Sequence, residues 1–548
     1  MKRFKQLNNI VGWVVCAIAC AVYLLTIEPT ASFWDCGEFI ATSYKMEIGH
    51  PPGAPFFMML GRICSLFAAT PSQVAAMVNA FSAICSGFTI LFLFWTITHL
   101  ARRMEVPNEV FKSNGEVPLA TTIGILGAGV VGALAYTFSD TFWFSAVEGE
   151  VYASSSLFTA VVYWCMLKWE DCADEPYANR WLVLIAYLMG LSIGVHLLNL
   201  LSIPVLVLVY YYRKSKEVTT KGTIVALAVS CVVLVCILYG LIPGFAQVAG
   251  WFELLFVNGF HCPYNTGVII YAIALLGALV WGIKLTSNNN TLSTKATKGS
   301  ISHLKVTEIF IASIILLGIP FFGSGKGSHI ALAILIIVAL GYGLYNYGDK
   351  VQMPVLNTIL ICCAMVLLGY STYAPLVIRS AANPTMDENS PDDVFSLKSY
   401  LNREQYGDRP LIYGESYAAD YHRVNNGNGQ WTVDVEEGEA LYAKAIKAND
   451  SERDQYIHYD NKKDYKYCSE FNMLFPRMYS RQGSHINAYK EWGAIGEGKT
   501  ITYQNMGQMH TANVPTQFNN ILFFLKYQVG FMYWRYFMWN FAGRQNDI

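Results

Sequence analysis

The sequence predicts an all-α polytopic membrane protein with about 11–12 transmembrane helices and an extracytoplasmic soluble α+β domain. Three observations support this prediction. Hydrophobic residues make up 54% of the 548 residues, and charged residues only 14%. Apolar stretches of membrane-spanning length recur through residues 10–373, and a long polar segment follows them. The formal net charge of −1 argues against a nucleic-acid partner, because proteins that bind nucleic acid carry a clear excess of positive charge.

Eleven apolar stretches are predicted to span the bilayer, because a hydrocarbon core of about 30 Å requires roughly 20 apolar residues of helix. They lie near residues 10–27, 73–100, 119–138, 150–168, 181–195, 197–212, 222–242, 266–283, 307–322, 328–347 and 353–373. No small-residue cleavage site follows the first stretch, so we predict an uncleaved span. Residues 181–212 admit two interpretations, a hairpin of two short spans joined at His196 or one long span. One long span would invert every later loop.

Positively charged residues set the predicted orientation, since cytoplasmic loops carry an excess of lysine and arginine. If residues 181–212 form a hairpin, the basic clusters beside the spans all fall on one side. These clusters contain Lys2, Arg3, Lys5, Arg102, Arg103, Lys112, Arg213, Lys214, Lys216, Lys221, Lys284, Lys295, Lys298 and Lys305. We therefore predict a multi-pass protein of the cell inner (cytoplasmic) membrane with a cytoplasmic N-terminus. The loops at 28–56, 139–149 and 243–265 then face the periplasm.

The predicted domain boundaries follow the changes in composition. Residues 1–379 form the transmembrane region, and residues 380–518, rich in charged residues, asparagine and tyrosine, form the extracytoplasmic soluble domain. Residues 519–548 are apolar again and carry Lys526 and Arg535 among many tyrosines and tryptophans. Aromatic rings and long cationic side chains are favoured at the membrane surface, so we predict an interfacial helix here. A twelfth transmembrane helix is the alternative.

The first outer loop carries the strongest candidate site, because ionisable groups beside a membrane span are costly unless they meet partners or water. It contains Asp35, Glu38, Glu47 and His50. In a short interfacial helix over residues 33–46, Asp35 and Glu38 would share one face, and their mutual repulsion would raise the proton affinity of one of them, as a general base requires. The alternative is that Asp35 caps the helix and Glu38 supports the cap. The two prolines and the glycine that follow His50 predict a rigid turn that presents this histidine.

The second outer loop adds Asp140, Glu148 and Glu150. Glu150 begins the next predicted span, where a carboxylate points into the bundle or an aqueous cavity rather than into lipid. A purely structural explanation is also available, since the helix dipole favours an acidic residue in the first turn. We favour a functional role for Glu150 over one for Glu148 or Asp140.

Three segments resemble the motifs of a known membrane family. WDCGEF at 34–39 resembles GDSGEL, HPPGAP at 50–55 resembles HPPGYP, and EGEVY at 148–152 resembles SGEVF. On these motifs the chain is identified as a member of the GT-C-type protein O-mannosyltransferase-like family, glycosyltransferase family 117, formerly a domain of unknown function. The resemblance to its longer, Bacteroidetes-type bacterial branch extends to residues 400–408, 475–480 and 533–544.

The resemblance implies a GT-C-like fold and an inverting glycosyltransferase. Such an enzyme moves a sugar, mannose by family resemblance, from a polyprenyl-phosphate carrier to a protein Ser/Thr or surface-glycan hydroxyl on the outer face. It implies Asp35 as the general base, Glu38 as its partner and Glu150 as a second acidic site. The sequence departs from the family in Trp34, where the motif often has glycine, and in the added Glu148, which leaves open which glutamate acts.

A lipid phosphate that leaves with negative charge needs a nearby cation. The predicted substrate-binding residues on the outer face are His50, Arg62, Glu148, His196 and Arg379. Arg379 is the favoured phosphate ligand, because a guanidinium group can donate two parallel hydrogen bonds to phosphate. An arginine that only reaches towards the membrane surface is the alternative. A lone histidine such as His196 is more often satisfied by neighbouring backbone groups.

We predict no metal and no cofactor beyond the lipid-linked sugar donor as co-substrate. The cysteines show no metal or disulfide spacing, and donors of this kind generally need no metal. The implied partners are a polyprenyl-phosphate sugar, an acceptor protein or glycan, and the lipid bilayer. Two other functional classes remain as alternatives to the glycosyltransferase. A membrane transporter or flippase would place charges at the bilayer midplane on repeated, broken helices. A non-catalytic assembly scaffold of the cell envelope would tolerate the loss of Asp35.

Overall fold

A computed structural model of the chain describes residues 2–107, 110, 113, 115–287, 301–321, 327–347, 353–407, 409–449 and 451–542. These residues divide into two compact units. The first unit runs to Arg403 and includes Lys444–Ile457 as well, and the second holds most of the residues from Glu404 onwards. The division therefore falls after Arg403, whereas the composition of the sequence had placed it at 379/380.

The first unit is built of helices. They are α1 (Lys2–Leu25), α2 (Cys36–Lys45), α3 (Pro55–Ser65), α4 (Val74–Glu105), α5 (Leu119–Thr137), α6 (Asp140–Ala146), α7 (Val151–Cys172), α8 (Arg180–Ile193), α9 (Ile203–Lys214), α10 (Thr220–Val235), α11 (Ile242–Leu254), α12 (Thr266–Ser287), α13 (Ile301–Leu316), α14 (Gly327–Tyr347), α15 (Met353–Tyr370), α16 (Ala374–Ser380) and α17 (Val394–Leu401). Short 3-10 segments at Pro71–Gln73, Leu197–Ser202 and Ser371–Tyr373 lead into α4, α9 and α16, and π-helical segments occupy Cys236–Leu241 and Leu255–Gly259.

Seven helical stretches in the described part of the chain are long and apolar enough to cross a membrane by length and composition. They are Lys2–Leu25, Pro71–Glu105, Leu119–Thr137, Leu197–Lys214, Thr220–Gly259, Thr266–Ser287 and Met353–Ser380. Shorter apolar helices occupy Arg180–Ile193 and Ala331–Asn346. Every one of the eleven predicted stretches coincides with a helix. The predicted polytopic helical fold is confirmed. The predicted 11–12 spans also include helices that are shorter or more polar than the seven stretches named above.

Residues 181–212 form the hairpin rather than one long span. Helix α8 ends at Ile193, and the 3-10 segment Leu197–Ser202 then leads into α9. At the far end of α9, Lys214 Nζ donates a hydrogen bond to the Ala173 carbonyl oxygen at 2.6 Å, and Arg213 Nε donates one to the Glu170 carbonyl oxygen at 3.0 Å. Helix α8 begins just after these residues, so the chain runs away from the end of α7 and returns to it.

The basic residues that follow the second and sixth predicted spans lie at this end of α7. Arg103 pairs with Glu170 at 3.2 Å and with Asp171 at 3.1 Å, and Lys214 pairs with Asp174 at 3.2 Å. The acidic loop that precedes α7 is about 33 Å away along this 22-residue helix. The two ends of the bundle thus carry the charges that the sequence assigned to opposite sides, while the cytoplasmic assignment of the basic end stays a prediction.

Helix packing positions the turns that carry the candidate site. Helix α4 packs against α1, α5 and α7. Helix α8 packs against α15 along Gly190 and Gly369, where a β-carbon on either glycine would overlap the backbone of the other helix. The chain turns directly after α8, and there the Gly194 carbonyl oxygen accepts a hydrogen bond from Phe56 N at 2.8 Å. The start of α3 is therefore held to the end of α8.

The second unit combines short strands and helices, as predicted for the soluble α+β domain. Its strands are β1 (Tyr413–Glu415), β2 (Arg423–Asn425), β3 (Trp431–Val433), β4 (Val435–Lys444), β5 (Tyr456–Tyr465), β6 (Asn472–Leu474), β7 (Lys499–Asn505) and β8 (Gln508–Val514), although the segment Lys444–Ile457 at the ends of β4 and β5 belongs to the first unit. They pair as four two-stranded sheets, β1 with β6, β2 with β3, β4 with β5 and β7 with β8. The helices are α18 (Gly483–Trp492), α19 (Gln517–Phe523) and α20 (Arg535–Met538), and a π-helical segment, Phe524–Trp534, joins the last two.

The predicted aromatic helix at 519–548 is helical through Met538, and residues 543–548 lie outside the described part of the chain. Phe523, Tyr527 and Phe531 stack along one face, with successive ring centroids 5.1 Å and 5.8 Å apart, and Trp492 packs against Tyr527 at 5.4 Å. Other side chains of this helix, including Tyr533, are exposed. Its location at a membrane surface stays a prediction.

Candidate active site

The first outer loop forms a short helix, α2, one turn shorter than the helix predicted for residues 33–46. Asp35 occupies the N-cap position, but its side chain makes no capping hydrogen bond. Asp35 is exposed, and among the residues that the structure describes none donates a hydrogen bond to its carboxylate. The capping role that was the alternative for Asp35 is therefore not observed, and the carboxylate is accessible to a substrate.

Glu38 is paired with His50 rather than with Asp35. The Glu38 Oε1 atom accepts a hydrogen bond from the His50 backbone N at 2.7 Å and lies 2.8 Å from His50 Nδ1. Burial acts to raise the pKa of Glu38, but the hydrogen bonds and the charge of His50 outweigh it and hold that pKa below its ordinary value. The hydrogen bond to Glu38 in turn raises the pKa of His50, against the opposing effect of burial. The pair thus favours a charged carboxylate beside a protonated imidazole.

The turn that carries His50 is held by hydrogen bonds from residues far along the chain. Gly53 has a φ of +73°, which a residue with a side chain adopts only at a steric cost, and the Pro51–Pro52 peptide bond is cis. The buried Tyr400 hydroxyl donates a hydrogen bond to the Gly49 carbonyl oxygen at 2.6 Å. The Tyr373 hydroxyl, also buried, donates to the Pro52 carbonyl oxygen at 2.9 Å. Two tyrosines far along the chain therefore hold the turn that carries His50.

The second outer loop meets the first, as expected if both lie on one side. Ser32 Oγ donates a hydrogen bond to Glu148 Oε2 at 2.7 Å. Asn79 Nδ2, fully buried in α4, donates to the carbonyl oxygens of Glu28 at 2.7 Å and Thr30 at 3.0 Å, which secures the start of the first loop. Burial raises the pKa of Glu148 despite its hydrogen bond from Ser32. Glu148 is thus part of the structure that joins the two loops.

Glu150 is a carboxyl group with a strongly raised proton affinity. It lies just outside α7 as its N-cap residue, it is only 6% exposed, and its Oε2 atom accepts one hydrogen bond, from Val151 N at 3.1 Å. Burial raises the pKa of Glu150 to about 7, and the nearby charges of Asp35 and Glu148 add to this effect. The repulsion expected between Asp35 and Glu38 is therefore relieved by His50 at Glu38, and the large rise in pKa occurs at Glu150 instead.

Two of the predicted phosphate-binding cations hold the C-terminal end of α2. Arg379 Nε donates a hydrogen bond to the Met46 carbonyl oxygen at 2.7 Å, and Arg379 Nη2 donates to the Lys45 carbonyl oxygen at 3.2 Å. Arg62 Nη1 donates to the Tyr44 carbonyl oxygen at 2.7 Å. The last carbonyl groups of a helix carry partial negative charge and favour cations. The structure thus gives these arginines a role in positioning α2, which differs from the phosphate contact expected for Arg379.

His196 is satisfied by the backbone, as its isolation in the sequence suggested. Its Nδ1 atom accepts a hydrogen bond from Leu198 N at 3.1 Å at the start of the 3-10 segment. Its ring lies 5.5 Å from that of Tyr152, in the first turn of α7. Burial lowers the pKa of His196, and the charge of Arg403 lowers it further. His196 therefore lies on the Glu150 side of the site, although it is held as a structural residue.

The structure adds one acidic residue that the sequence did not suggest. The segment 386–388 pairs with the His50 loop, where Ile48 N donates to the Met386 carbonyl oxygen at 3.0 Å and Glu388 N donates to the Ile48 carbonyl oxygen at 3.3 Å. Burial and the charges of Glu38 and Asp35 raise the pKa of Glu388, whereas His50 lowers it. Glu388 thus faces the same cluster from the polar segment after α16. No local sequence pattern links it to the first loop.

Asp35, Glu38 and His50 could also hold a metal ion. Their potential ligand atoms all lie within 4.8 Å of one another. Two carboxylates and an imidazole form a ligand set that Zn²⁺, Mn²⁺ or Fe²⁺ accepts. The hydrogen bond between Glu38 and His50 already uses one carboxylate oxygen and one ring nitrogen, so metal binding would have to replace it. The chemistry of the site can be written without a metal.

Comparison with known proteins supports the family resemblance. Residues 35–219 match the family described as the protein O-mannosyl-transferase TMEM260 N-terminal domain, and residues 407–525 match a family of unknown function, DUF8416. The match to 35–219 contains Asp35, Glu38, His50 and Glu150 and ends before Arg379 and Glu388.

Two curated relatives carry the same name. The chain is 24% identical over 217 residues to protein O-mannosyl-transferase tmem260 of Dictyostelium discoideum, which covers 38% of this chain and 24% of the relative. It is 26% identical over 180 residues to protein O-mannosyl-transferase TMEM260 of Mus musculus, which covers 33% of this chain and 22% of the relative. The chain thus matches less than a quarter of each relative's length. No solved structure matches the chain. The family resemblance predicted from the three outer-loop motifs is confirmed for residues 35–219, which are similar to the N-terminal domain of the protein O-mannosyl-transferase TMEM260 family.

Proposed function

We propose that this chain is a membrane glycosyltransferase that transfers a sugar from a polyprenyl-phosphate-linked donor to a hydroxyl group of a protein or surface glycan. Mannose is the proposed sugar, and the periplasmic face is the proposed location. One observation carries the proposal. The segment that resembles protein O-mannosyl-transferases contains an accessible carboxylate, Asp35, beside the ion pair of Glu38 with His50.

Asp35 is proposed as the general base. A base must reach the proton of the acceptor hydroxyl, and Asp35 is the exposed member of the cluster, with no capping bond to the helix that follows it. Glu38 is less suited, because its Oε1 atom already accepts two hydrogen bonds from His50. Glu150 is 6% exposed and is the proposed second acidic group, and the charge of Asp35 contributes to its raised pKa.

The proposed reaction is a single displacement. Asp35 removes the proton of the acceptor hydroxyl as its oxygen attacks the anomeric carbon of the sugar. The bond between that carbon and the phosphate oxygen breaks, and the electron pair leaves with the polyprenyl phosphate. The configuration at the anomeric carbon is inverted, because attack and departure occur on opposite faces. A phosphate is a stable leaving group that requires no protonation, so one base and a cation for the phosphate are sufficient.

The alternative functional classes make different demands on the same residues. A transporter would hold its charged groups near the bilayer midplane. Here Asp35 precedes α2, Glu38 lies in the first turn of α2, Glu150 precedes α7, and Glu388 lies in a loop. A scaffold would need no accessible, unpaired carboxylate and would retain its function without Asp35. The charge distribution therefore favours the transferase proposal over both alternatives.

The experiment is sugar transfer by the purified full chain in detergent, from synthetic polyprenyl-phosphate-mannose to a membrane or secreted protein fraction. Asp35→Asn keeps the shape of the side chain and removes the base, so we expect transfer to fall about 100-fold or more with unchanged thermal unfolding. Asp174→Asn is the matched control, because Asp174 is an exposed aspartate at the opposite end of α7 and its ion pairs contribute little.

Each outcome has a distinct meaning. A selective loss in Asp35→Asn supports both the transferase and its base. Equal transfer by Asp35→Asn and the wild type would remove Asp35 from the mechanism and would direct attention to Glu150. Absence of transfer by the wild type with this donor would contradict the proposed donor and favour the scaffold.

A further inference from the structure

The loop before α2 presents a large aromatic side chain directly beside the proposed base. Trp34 precedes Asp35 in the chain, and it is 91% exposed. An indole offers a broad, flat apolar surface, and tryptophan is enriched where proteins bind other molecules. Consecutive Cα atoms are about 3.8 Å apart. A substrate that brings its hydroxyl group to the Asp35 carboxylate therefore comes close to Trp34 as well.

The backbone of Trp34 has an unusual conformation for a residue with a bulky side chain. Its φ is +61°, in the left-handed region where the β-carbon crowds the following carbonyl oxygen. Glycine, which is common at this position of the motif that residues 34–39 resemble, adopts the conformation without this strain. The chain thus carries an indole at a position where glycine would be less strained.

Contacts on both sides of Trp34 hold this conformation. Two residues earlier, Ser32 Oγ donates a hydrogen bond to Glu148 Oε2 at 2.7 Å. One residue later, the Asp35 carbonyl oxygen accepts a hydrogen bond from Phe39 N at 2.9 Å and so begins the hydrogen bonding of α2. The backbone between these two contacts has little freedom. The indole of Trp34 therefore extends from a fixed point beside the proposed base.

Two kinds of partner suit an exposed indole near the end of a membrane helix, the bilayer surface and a sugar ring. Tryptophan is favoured at the bilayer surface, and the neighbouring Phe33 is also 84% exposed. Insertion of this loop into lipid would, however, bring the exposed Asp35 carboxylate with it, at an electrostatic cost. A pyranose ring has a face of C–H groups that is attracted to the electron-rich face of an indole. The position of Trp34 next to a carboxylate favours the sugar.

We propose that the indole of Trp34 stacks on a pyranose ring of the substrate, an inference that rests on the function proposed above. The ring is that of the lipid-linked donor or that of an acceptor glycan, since both present a C–H face of this kind. Stacking orients the ring while its hydroxyl groups stay available to Asp35 and the other polar groups of the site. Trp34 is then a binding residue that contributes affinity for the sugar and none for the polyprenyl phosphate.

The test is the Kd of the purified full chain in detergent for two synthetic ligands, polyprenyl-phosphate-mannose and the same polyprenyl phosphate without a sugar. Trp34→Asn removes the ring and suits the left-handed backbone, which asparagine adopts more readily than most residues. We expect its Kd for the mannosyl lipid to rise about 3- to 10-fold, as for the loss of one aromatic contact, with no change for the sugar-free lipid. Trp34→Tyr retains an aromatic ring, so its Kd should lie closer to that of the wild type.

Tyr177 provides the matched control. It is an aromatic residue that is 85% exposed and has a φ of +65°, and it lies just beyond the end of α7 opposite Glu150. Tyr177→Asn therefore makes the same kind of change far from Asp35 and should leave both Kd values unaltered. Thermal unfolding of Trp34→Asn like that of the wild type, expected for an exposed side chain, excludes misfolding as the cause of weaker binding.

The outcomes separate the possible partners and the two proposals. An unchanged Kd for the mannosyl lipid with a raised KM for a glycan acceptor would assign the stacked ring to the acceptor. An equal rise in Kd for both lipids would overturn the inference, because Trp34 would then contact lipid and not sugar. If neither Kd nor the acceptor KM changes while Asp35→Asn still loses transfer, the Trp34 inference is wrong and the transferase proposal stands. If the wild type neither binds the mannosyl lipid nor transfers its sugar, both proposals fall together.

Discussion

Two buried carboxylates of the first unit, Glu150 and Glu253, differ in how completely the protein hydrogen-bonds them. Glu253 is fully buried near the end of α11 and accepts hydrogen bonds from Asn265 N at 2.6 Å, Val268 N at 3.2 Å and the Tyr456 hydroxyl at 3.3 Å. Glu150 is nearly as buried, yet its carboxylate accepts one hydrogen bond, from Val151 N. The two carboxylates are similarly buried, but they differ in the number of hydrogen-bond donors that contact them.

The difference is consistent with a structural role for Glu253 and with the proposed chemical role of Glu150. The Glu253 carboxylate reaches the N-terminal end of α12, where backbone N–H groups lack partners within the helix, and it also accepts a hydrogen bond from Tyr456 of the segment Lys444–Ile457. A buried carboxylate with this many donors has its hydrogen-bonding capacity satisfied by the fold. Glu150 lacks such compensation, and burial raises its pKa to about 7, where a small change in its surroundings alters its charge. A buried carboxyl group with such a raised pKa destabilises the fold when it is ionised, and it is suited to proton transfer.

The largest expected effect is the loss of stability in Glu253→Ala. This change leaves one buried hydroxyl and two part-buried backbone donors without their acceptor, at about 1–3 kcal/mol for each group that stays unsatisfied. We expect a destabilisation of about 3 kcal/mol or more, measured by thermal unfolding in detergent. Glu253→Gln keeps one acceptor oxygen and should lose less. Wild-type stability of Glu253→Ala would contradict the structural role assigned to this carboxylate.

For Glu150→Gln we expect a gain in stability at neutral to alkaline pH, in contrast to the loss expected for Glu253→Ala. Because the folded protein retains the Glu150 proton up to a pH of about 7 while the unfolded chain loses it in the ordinary carboxyl range, wild-type stability should fall as pH rises between those limits. Glutamine mimics the protonated form and removes this dependence. At pH 8 we expect Glu150→Gln to be more stable than the wild type by up to about 3 kcal/mol and slower in sugar transfer. Thermal unfolding from pH 4 to pH 8 tests the prediction, and parallel profiles for the two proteins would refute it.

The sequence predicted the helices of the first unit well, because long apolar stretches leave few alternatives. It could not choose between one span and two at 181–212, since both halves are apolar. The choice depends on hydrogen bonds from Arg213 and Lys214 to residues near the end of α7, which no hydropathy pattern reveals. The first unit extends beyond the compositional boundary at 379/380, because α17 is short and moderately polar and joins that unit through tertiary contacts such as that of Tyr400 with Gly49.

The candidate site was predicted in its residue types and less well in its partners. Motif resemblance identified Asp35, Glu38, His50 and Glu150, and the structure brings them together. The sequence paired Glu38 with Asp35 by helical spacing, whereas Gly49 and the following turn bring His50 onto Glu38. The contribution of Glu388 was out of reach, because the bridge between Ile48 and Asp387 joins segments more than 300 residues apart.

A smaller effect is expected for Gly49→Ala, which tests the packing of the Glu38 and His50 pair directly. A β-carbon at Gly49 would overlap the Glu38 carboxylate, so either the carboxylate or the turn must move. We expect a destabilisation of about 2 kcal/mol, as for overpacked sites, together with reduced transfer. Gly124→Ala in α5 is the matched control, because a β-carbon there meets no atom within 4 Å and alanine favours helix. Equal effects of the two substitutions would show that the close approach at Gly49 is unimportant.

The smallest expected effect concerns Arg379, the arginine that positions α2. Arg379→Met retains the apolar stem but removes the hydrogen bonds to the carbonyl oxygens of Lys45 and Met46, so we expect a destabilisation of about 1 kcal/mol. Its sugar transfer should fall much less than that of Asp35→Asn, since these hydrogen bonds serve the helix end and not the ligand. Both variants are compared by thermal unfolding and by the same transfer assay. A loss of transfer by Arg379→Met as large as that of Asp35→Asn would restore Arg379 as the phosphate ligand, because the loss would then follow the residue that the sequence favoured.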